Sequence, residues 1–190
     1  MRVLKAEDYR RMPWKNGGGE TAEILAFPPH ASVADFGWRI SMARVAADGP
    51  FSTFEGIDRT LSILDGEGVA LDIEGLGSHV LDQQTVPLSF PGDTPTWARL
   101  TNGPIVDLNV MSRRGHFRHT VRRLTFSKAA TIKAPAAITF IFAADICRVE
   151  GLVSPLQRFD CLVCNAGDNA VAVSPSGPSG RLFVIEINPI

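Results

Sequence analysis

Residues 36–68 read FGWRISMARVAADGPFSTFEGIDRTLSILDGEG, and this stretch decides the fold. Branched and aromatic residues are concentrated in two short runs, 38–43 and 60–64, with the turn sequences DG and GEG beside them. Short runs of this composition, bounded by Gly and Asp, are typical of β-strands. The stretch therefore predicts strands joined by tight turns.

The same pattern continues outward in both directions. Similar runs occupy residues 69–73, 104–111, 137–142 and 181–187, separated by EGLG, PGD, NG and AGD. The one helical pattern near the start, residues 6–12, is short and is stopped by a proline. Many short strands at roughly 8–12-residue spacing indicate an all-β sandwich or barrel.

An internal repeat suggests that the β-fold occurs twice. The matching pairs, 75 or 76 positions apart, are 71–75 with 147–151, Leu81 with Leu156, and Gly92-Asp93 with Gly167-Asp168. Each copy then ends in an alternating strand, 105–110 or 182–187. The repeat predicts two related barrels, residues 1–115 and 116–190, with the boundary in the basic stretch 112–123.

Composition limits the class of partner. Nineteen Lys and Arg balance 20 Asp and Glu, so the formal charge is only -1 and gives no reason to expect nucleic-acid or membrane binding. The arginines at 113, 114, 118, 122 and 123 form either a nucleic-acid patch or a solvated connector, and the acidic balance elsewhere favours a connector. The charged N-terminus and the lack of a run approaching ~20 apolar residues predict a cytoplasmic protein.

Cys161 and Cys164 form a C-x-x-C pair that could indicate zinc or redox chemistry. They lie in an apolar run that predicts a strand, where positions three apart point to opposite faces. No second such pair completes a zinc site in the sequence. Buried structural thiols are the favoured interpretation.

The cupins, a family of small β-barrels, bind metal through the pattern G-x5-H-x-H-x3-E-x6-G. Gly49 and Gly68 have the spacing of the two glycines, but Glu55, Ile57 and Leu61 stand at the three ligand positions. Isoleucine and leucine cannot hold a divalent metal. The scaffold resembles a cupin, and because these ligand positions are replaced we expect no metal and no cofactor.

Four motifs together carry a more specific resemblance: PWKNGGGETAEI (13–24), the run 36–68, PGD (91–93) and DLNVMSRRG (107–115). On these motifs the chain resembles the HutD/Ves family. The resemblance implies a bicupin, two tandem jelly-roll barrels with little helix and no metal. It also implies a ligand-binding, regulatory role in bacterial histidine utilisation without established catalysis. Candidate ligands by this analogy are urocanate, formiminoglutamate and N-formylglutamate, and cupin sheet-edge pairing favours a homodimer.

A carboxylate ligand requires a cation that can donate two hydrogen bonds, together with neutral polar groups that fix its orientation. Arg39 and Ser41 share one strand face, as do Asp107 and Asn109, because side chains alternate along a strand. We expect the pocket in the N-terminal barrel. The candidate ligand-binding residues are Arg39, Arg59, Ser41, Asp107, Asn109, Trp14, Lys15, Asn16 and Thr21.

Structural alternatives exist for these residues. Arg39 and Asp107 form a salt bridge inside the barrel in one interpretation, and Arg59 pins a hairpin loop in another. The segment PWKNGGG lacks GK[ST] and so is not a phosphate loop. It forms either a pocket wall, with glycines that allow close backbone approach, or a turn closing an N-terminal strand.

The alternative function is a metal-independent isomerase or hydrolase of a small acyl-amino acid. Asp107, Glu55 or Lys15 would then act as general base. The sequence has no GxSxG elbow and no apparent Cys–His pairing, and this absence favours binding over catalysis. A purely structural partner protein, its barrel filled by side chains, is the third hypothesis.

Overall fold

The structure, a computed structural model, describes residues 1–14, 17–168 and 170–190. Within these ranges the helical content is one 3-10 helix, Ala6–Asp8, and nearly all other regular structure is β-strand. No helix in the described part of the chain is long and apolar enough to cross a membrane. The all-β prediction is confirmed.

The strands are numbered in chain order. The first nine are β1 (Arg2–Leu4), β2 (Arg10–Pro13), β3 (Gly19–Phe27), β4 (Trp38–Val45), β5 (Gly49–Pro50), β6 (Ile57–Asp65), β7 (Val69–Ile73), β8 (Gly77–Leu81) and β9 (Leu88–Pro91). The other nine are β10 (Thr96–Leu100), β11 (Ile105–Arg113), β12 (Phe117–Phe126), β13 (Ala130–Lys133), β14 (Ile138–Ala143), β15 (Cys147–Val149), β16 (Cys161–Asn165), β17 (Ala170–Pro175) and β18 (Gly180–Pro189).

The chain forms two compact units. The first unit is Arg10–Phe117, and the second unit joins Met1–Tyr9 to Arg118–Ile190. The first contains a six-stranded sheet, β2-β3-β4-β11-β6-β9, and a four-stranded sheet, β5-β10-β7-β8. The five-stranded sheet β1-β16-β14-β18-β12 and the three-stranded sheet β13-β17-β15 form the β-structure of the second.

The predicted jelly-roll class is therefore confirmed, with one correction to its geometry. As far as the described strands go, the sheets do not close into barrels, because pairing stops at edge strands such as β2 and β9. Each unit is a sandwich of two sheets, in which apolar side chains from facing sheets meet.

The segment around residue 10 also departs from the sequence prediction. The helical pattern of residues 6–12 gives only the short helix Ala6–Asp8, after which β2 pairs with β3 from Arg10↔Glu23 to Pro13↔Glu20. Ladder hydrogen bonds to a neighbouring strand override a weak local preference for helix. Sheet pairing thus converts this segment into an edge strand.

Two matched positions of the repeat, Leu81 and Leu156, are both paired with a preceding strand, though not with matched partners. Leu81 on β8 pairs with Val69 on β7, and Leu156 forms a bridge with Cys147 on β15. Gly75 and Gly151, which follow the matched strands, both have positive φ, 75° and 85°. Both positions therefore need a left-handed backbone that favours glycine.

The core of the first unit lies on the inner faces of β4, β6 and β11. Ala43, Leu61, Ile63 and Ile105 belong to one buried apolar cluster. Toward one end of the same strands, the inward positions change from apolar to polar. This change creates the candidate site.

In the second unit, Leu162 and Cys164 on β16 both lie in the buried apolar cluster, so Cys161, at odd spacing from them, lies on the opposite face. All three cysteines are free thiols and buried, and burial raises the pKa of each. A raised thiol pKa makes the reactive thiolate scarce. The strand geometry predicted for the C-x-x-C pair agrees with this arrangement.

Candidate functional site

A cavity of about 530 Å³ opens within the first unit. Seven of the nine candidate residues named from the sequence line it: Trp14, Thr21, Arg39, Ser41, Arg59, Asp107 and Asn109. The other two, Lys15 and Asn16, lie outside the described residues. The remaining lining residues are Pro13, Ala43, Pro50, Phe51, Ser52, Phe54 and Met111.

Strand register brings these side chains together. Met111 on β11 pairs with Arg39 on β4 and with Arg59 on β6. Asn109 pairs in the same way with Ser41, two residues along the strand. Because side chains alternate along a strand, every second residue of three adjacent strands points into one space.

Two β-bulges lie beside charged residues of the site. The β3–β4 register shifts between Glu23 and Leu25, and the β11–β6 register shifts between Val106 and Asp107. A bulge changes the direction of neighbouring side chains and increases local twist. Both irregularities thus occur where a carboxylate is placed beside the cavity.

Arg59, Asn109 and Asp107 form a buried polar chain. Nε and Nη2 of Arg59 both donate to Oδ1 of Asn109, the first at 2.7 Å, and Nδ2 of Asn109 donates to Oδ1 of Asp107. All three side chains are buried, with 8%, 4% and 1% of their surface exposed. The neutral amide of Asn109 therefore separates the cation from the carboxylate.

Arg39 pairs with Glu23 instead of with Asp107. Its Nε donates to Oε2 of Glu23 at 2.7 Å, and the arginine side chain is 7% exposed. The hypothesis of an Arg39–Asp107 salt bridge is wrong, because β3 supplies a nearer carboxylate. The pair fixes the Arg39 guanidinium at the cavity wall.

Aromatic side chains, Phe51 and Phe54, form part of the cavity lining. The guanidinium carbon of Arg59 lies 4.5 Å from the centre of the Phe51 ring and 5.7 Å from that of Phe90. Phe54 adds a further apolar surface. Aromatic faces attract a cation and exclude water from it. Arg59 is therefore held between an amide and two rings.

Pro13 and Trp14 line the cavity, and Trp14 pairs with Gly19 further along the chain. The backbone N–H of Trp14 donates to the carbonyl of Gly19 at 2.9 Å, and its indole N–H donates to Oγ1 of Thr21 at 2.8 Å. A Cβ at Gly19 would collide with the carbonyl of Arg44 and the ring of Trp14. Glycine at this position lets the indole lie against β3, beside the cavity.

Burial shifts the proton affinity of both charged ends of the polar chain. Desolvation raises the pKa of Asp107 to about 7, against the opposing charge of Arg59 and a backbone interaction with Ala43. Desolvation lowers the pKa of Arg59 to about 10, and Arg39 acts in the same direction while Asp107 opposes it. Oδ2 of Asp107 is buried and accepts no hydrogen bond of ordinary geometry from the described residues.

The residues at the cupin ligand positions do not fit a metal. Ile57 and Leu61 are buried and Glu55 is exposed. Arg59 lies on the same face of β6 as Ile57 and Leu61, so this strand places a guanidinium between the two ligand positions. A fixed cation here disfavours a second, metallic one.

Sequence reasoning missed Glu23 and the segment 50–54. Glu23 lies two residues after Thr21 on β3, so strand alternation was the signal that could have found it. Phe51 and Phe54 lie in GPFSTFEG, where β5 spans only Gly49–Pro50. A loop has no periodicity from which its inward side chains can be inferred.

A sequence model of the HutD family matches residues 6–180. The chain belongs to the HutD family. A Pseudomonas putida relative, described as an uncharacterized 21.2 kDa protein in the hutC 3' region, is 31% identical over 98% of this chain and 97% of its own length. The family is associated with the histidine-utilisation locus.

Protein Ves from Cronobacter sakazakii is 40% identical to this HutD-family chain over 79% of it and 82% of its own length. Among solved structures, HutD from Pseudomonas fluorescens SBW25 (formate condition) has a TM-score of 0.85 at 31% identity, covering all of this chain and 98% of its own. A cupin 2 barrel protein from Leptotrichia buccalis, at 12% identity and TM-score 0.60, shares the fold alone and covers 97% of this chain and all of its own.

Proposed function

We propose that this HutD-family protein binds a small carboxylate metabolite in the first unit and has a regulatory role in histidine utilisation. The observation that carries the proposal is the state of Arg59. Its guanidinium is desolvated, and no described carboxylate contacts it directly, since its hydrogen-bond partner is the neutral amide of Asn109. A buried cation of this kind is stabilised by an incoming anion.

The remaining lining supports a small, oriented ligand. Arg39, held by Glu23, presents a second guanidinium to the same space. Ser41 adds a hydroxyl, while Phe51 and Phe54 supply apolar surface for the carbon skeleton. A few fixed polar groups in a largely apolar cavity are typical of small-molecule sites. Urocanate, formiminoglutamate and N-formylglutamate are the ligands that the family context suggests.

Titration calorimetry with urocanate, N-formylglutamate and formate tests the proposal. We expect at least one carboxylate to bind the wild type, and Arg59→Ala and Arg39→Ala to weaken it about 10- to 150-fold, since a charge-assisted contact contributes roughly 1.5–3 kcal/mol. Arg59→Lys should recover part of the loss, because an ammonium cannot reproduce the planar fork.

The matched control is Arg99→Ala. Arg99 also belongs to the first unit and pairs with a carboxylate, Asp72, but its side chain is 55% exposed and does not line the cavity. Its loss should leave affinity unchanged. Equal binding by the wild type and both cavity variants, each verified as folded, would place the ligand elsewhere.

A second candidate function, a metal-independent isomerase or hydrolase of a small acyl-amino acid, is favoured by one feature. Asp107 is a cavity carboxyl with a pKa of about 7 and a free oxygen, which suits a general base. Glu55, the other described candidate base, is exposed and does not line the cavity. Mass spectrometry of N-formylglutamate after incubation with wild type and Asp107→Asn tests the hydrolase form of this candidate, and intact substrate in both excludes hydrolysis of this compound.

A further inference from the structure

The cavity has a defined charge balance. Its ionisable lining side chains among the described residues are Arg39, Arg59 and Asp107, and Glu23 pairs with Arg39. With every group ionised, two positive and two negative charges cancel. A carboxylate that enters alone would leave one uncompensated negative charge in a desolvated space, which is costly.

The polar chain specifies where a compensating proton would bind. The two Arg59 donors fix the amide oxygen of Asn109 toward Arg59, so its Nδ2 faces Asp107. Oδ1 of Asp107 is therefore occupied as an acceptor. Oδ2 of the same carboxyl is buried and, apart from the backbone interaction of the carboxyl with Ala43, accepts no hydrogen bond of ordinary geometry from the described residues. A buried polar atom without a partner calls for an explanation, and a proton on Oδ2 would turn this atom into a donor.

The surroundings of Asp107 on the neighbouring elements favour this site for proton uptake. Arg39 comes from β4, Arg59 from β6 and Glu23 from β3, while segment 50–54 contributes no ionisable lining residue and Lys15 lies outside the described residues. Arg59, with a pKa of about 10, keeps its proton at neutral pH. The pKa of Asp107, about 7, places it where a nearby anion can cause protonation.

We propose that the first unit takes up its carboxylate ligand together with one proton from solvent, bound at Oδ2 of Asp107. The inference rests on the proposed function and deepens it. In the complex the proton forms an O–H bond on Oδ2 of Asp107, and this hydroxyl donates a hydrogen bond to the ligand. The ligand carboxylate stays ionised beside the two guanidinium groups. The ligand class is thus a carboxylate that offers an acceptor to a protonated aspartic acid.

Calorimetry of the wild type in buffers with different ionisation enthalpies counts the protons directly. With formate as the probe, which carries a single negative charge, we expect uptake of about one proton per ligand at pH 8.5 and close to none at pH 6. The dissociation constant should rise by up to about tenfold per pH unit above pH 7, since the ionised site must first be protonated. Binding at pH 8.5 without proton uptake would overturn the inference but leave carboxylate binding intact.

The variant Asp107→Asn tests whether Asp107 is the group that binds the proton taken up with the ligand. We expect binding at pH 6 within about threefold of wild type, no proton uptake and a flat pH profile, because the amide is a permanently neutral isostere. The control Asp72→Asn removes an exposed carboxylate outside this cavity and should keep wild-type uptake. Uptake that survives in Asp107→Asn would contradict the assignment.

Difference infrared spectroscopy of the wild type needs no variant. Ligand addition should produce a protonated-carboxyl stretching band at pH 8, and binding without this band would contradict the inference. The absence of carboxylate binding at every pH would contradict the proposed function itself, since proton uptake could not then be observed. The two failures are therefore distinguishable.

Discussion

Strands β11 and β18 hold corresponding places in the two units but have different inner faces. β11 lies between β4 and β6, and β18 between β14 and β12. The repeat aligns Asp107 with Val184. Asp107 lines the cavity, whereas Val184 is fully buried in an apolar cluster with Leu182 and Ile141. One alternating strand thus builds a pocket or a packed core, depending on the residues at its inward positions.

The polar positions of the two strands also differ. Asn109 is buried and links Arg59 to Asp107, while Glu186, its counterpart in the repeat, accepts hydrogen bonds from Thr120 and Arg122 that are exposed to solvent. Exposed ion pairs contribute little to stability, but a buried polar chain is costly unless it is satisfied. This difference explains why binding is proposed for the first unit.

The largest expected effect, on the free energy of unfolding, comes from placing an aspartate in the second unit at the position that corresponds to Asp107. Val184→Asp would bury a charge among apolar side chains and should lower the free energy of unfolding by about 4 kcal/mol or more. Thermal melting followed by circular dichroism measures it. Val184→Ala, which only leaves a cavity, is the control, and equal melting temperatures for the two variants would contradict the comparison.

The converse change removes the buried cation from the first unit. Arg59→Met should weaken carboxylate binding about 10- to 150-fold. The free energy of unfolding at pH 6 should be unchanged or higher, because an apolar residue often replaces a buried charge without loss of stability. At this pH Asp107 can be protonated, so it is not left as an unpaired buried charge. Calorimetry and urea denaturation measure the two quantities. Arg122→Met, an exposed change in the second unit, should alter neither, and marked destabilisation by Arg59→Met would indicate a structural role.

The third prediction concerns the pH dependence of stability. Burial raises the pKa of Asp107 to about 7, above the unfolded value of ~3.9, so the folded state holds the extra proton between these values. This stabilisation is present at low pH and is lost as pH rises through about 7, at up to about 1.4 kcal/mol per pH unit. Urea denaturation from pH 5 to 8 should show the decline in wild type relative to Asp107→Asn, and parallel curves would contradict it.

The smallest expected effect is that of metal removal on the melting temperature. Because Ile57 and Leu61 stand at the cupin ligand positions, purified protein should contain no stoichiometric zinc, iron, manganese or nickel. Chelator should leave the melting temperature unchanged. Elemental analysis showing about one metal per chain after dialysis would refute this prediction.

The sequence by itself determined the β-class, the positions of most strands and the residues that share a face. Run 69–73 is strand β7, and run 181–187 lies within β18. Arg39 with Ser41, and Asp107 with Asn109, point into one cavity as alternation predicts. These features are local, because side-chain direction in a strand depends only on the parity of the position.

Only the tertiary structure decided which side chains meet. Glu23 pairs with Arg39, Asn109 separates Arg59 from Asp107, and Phe51 lies against Arg59. These contacts join residues up to 50 positions apart in the sequence, across register shifts and from a loop. Inter-strand register and loop conformation are set by the whole folded unit and not by local periodicity, so the cavity's charge balance emerges only when the strands are assembled.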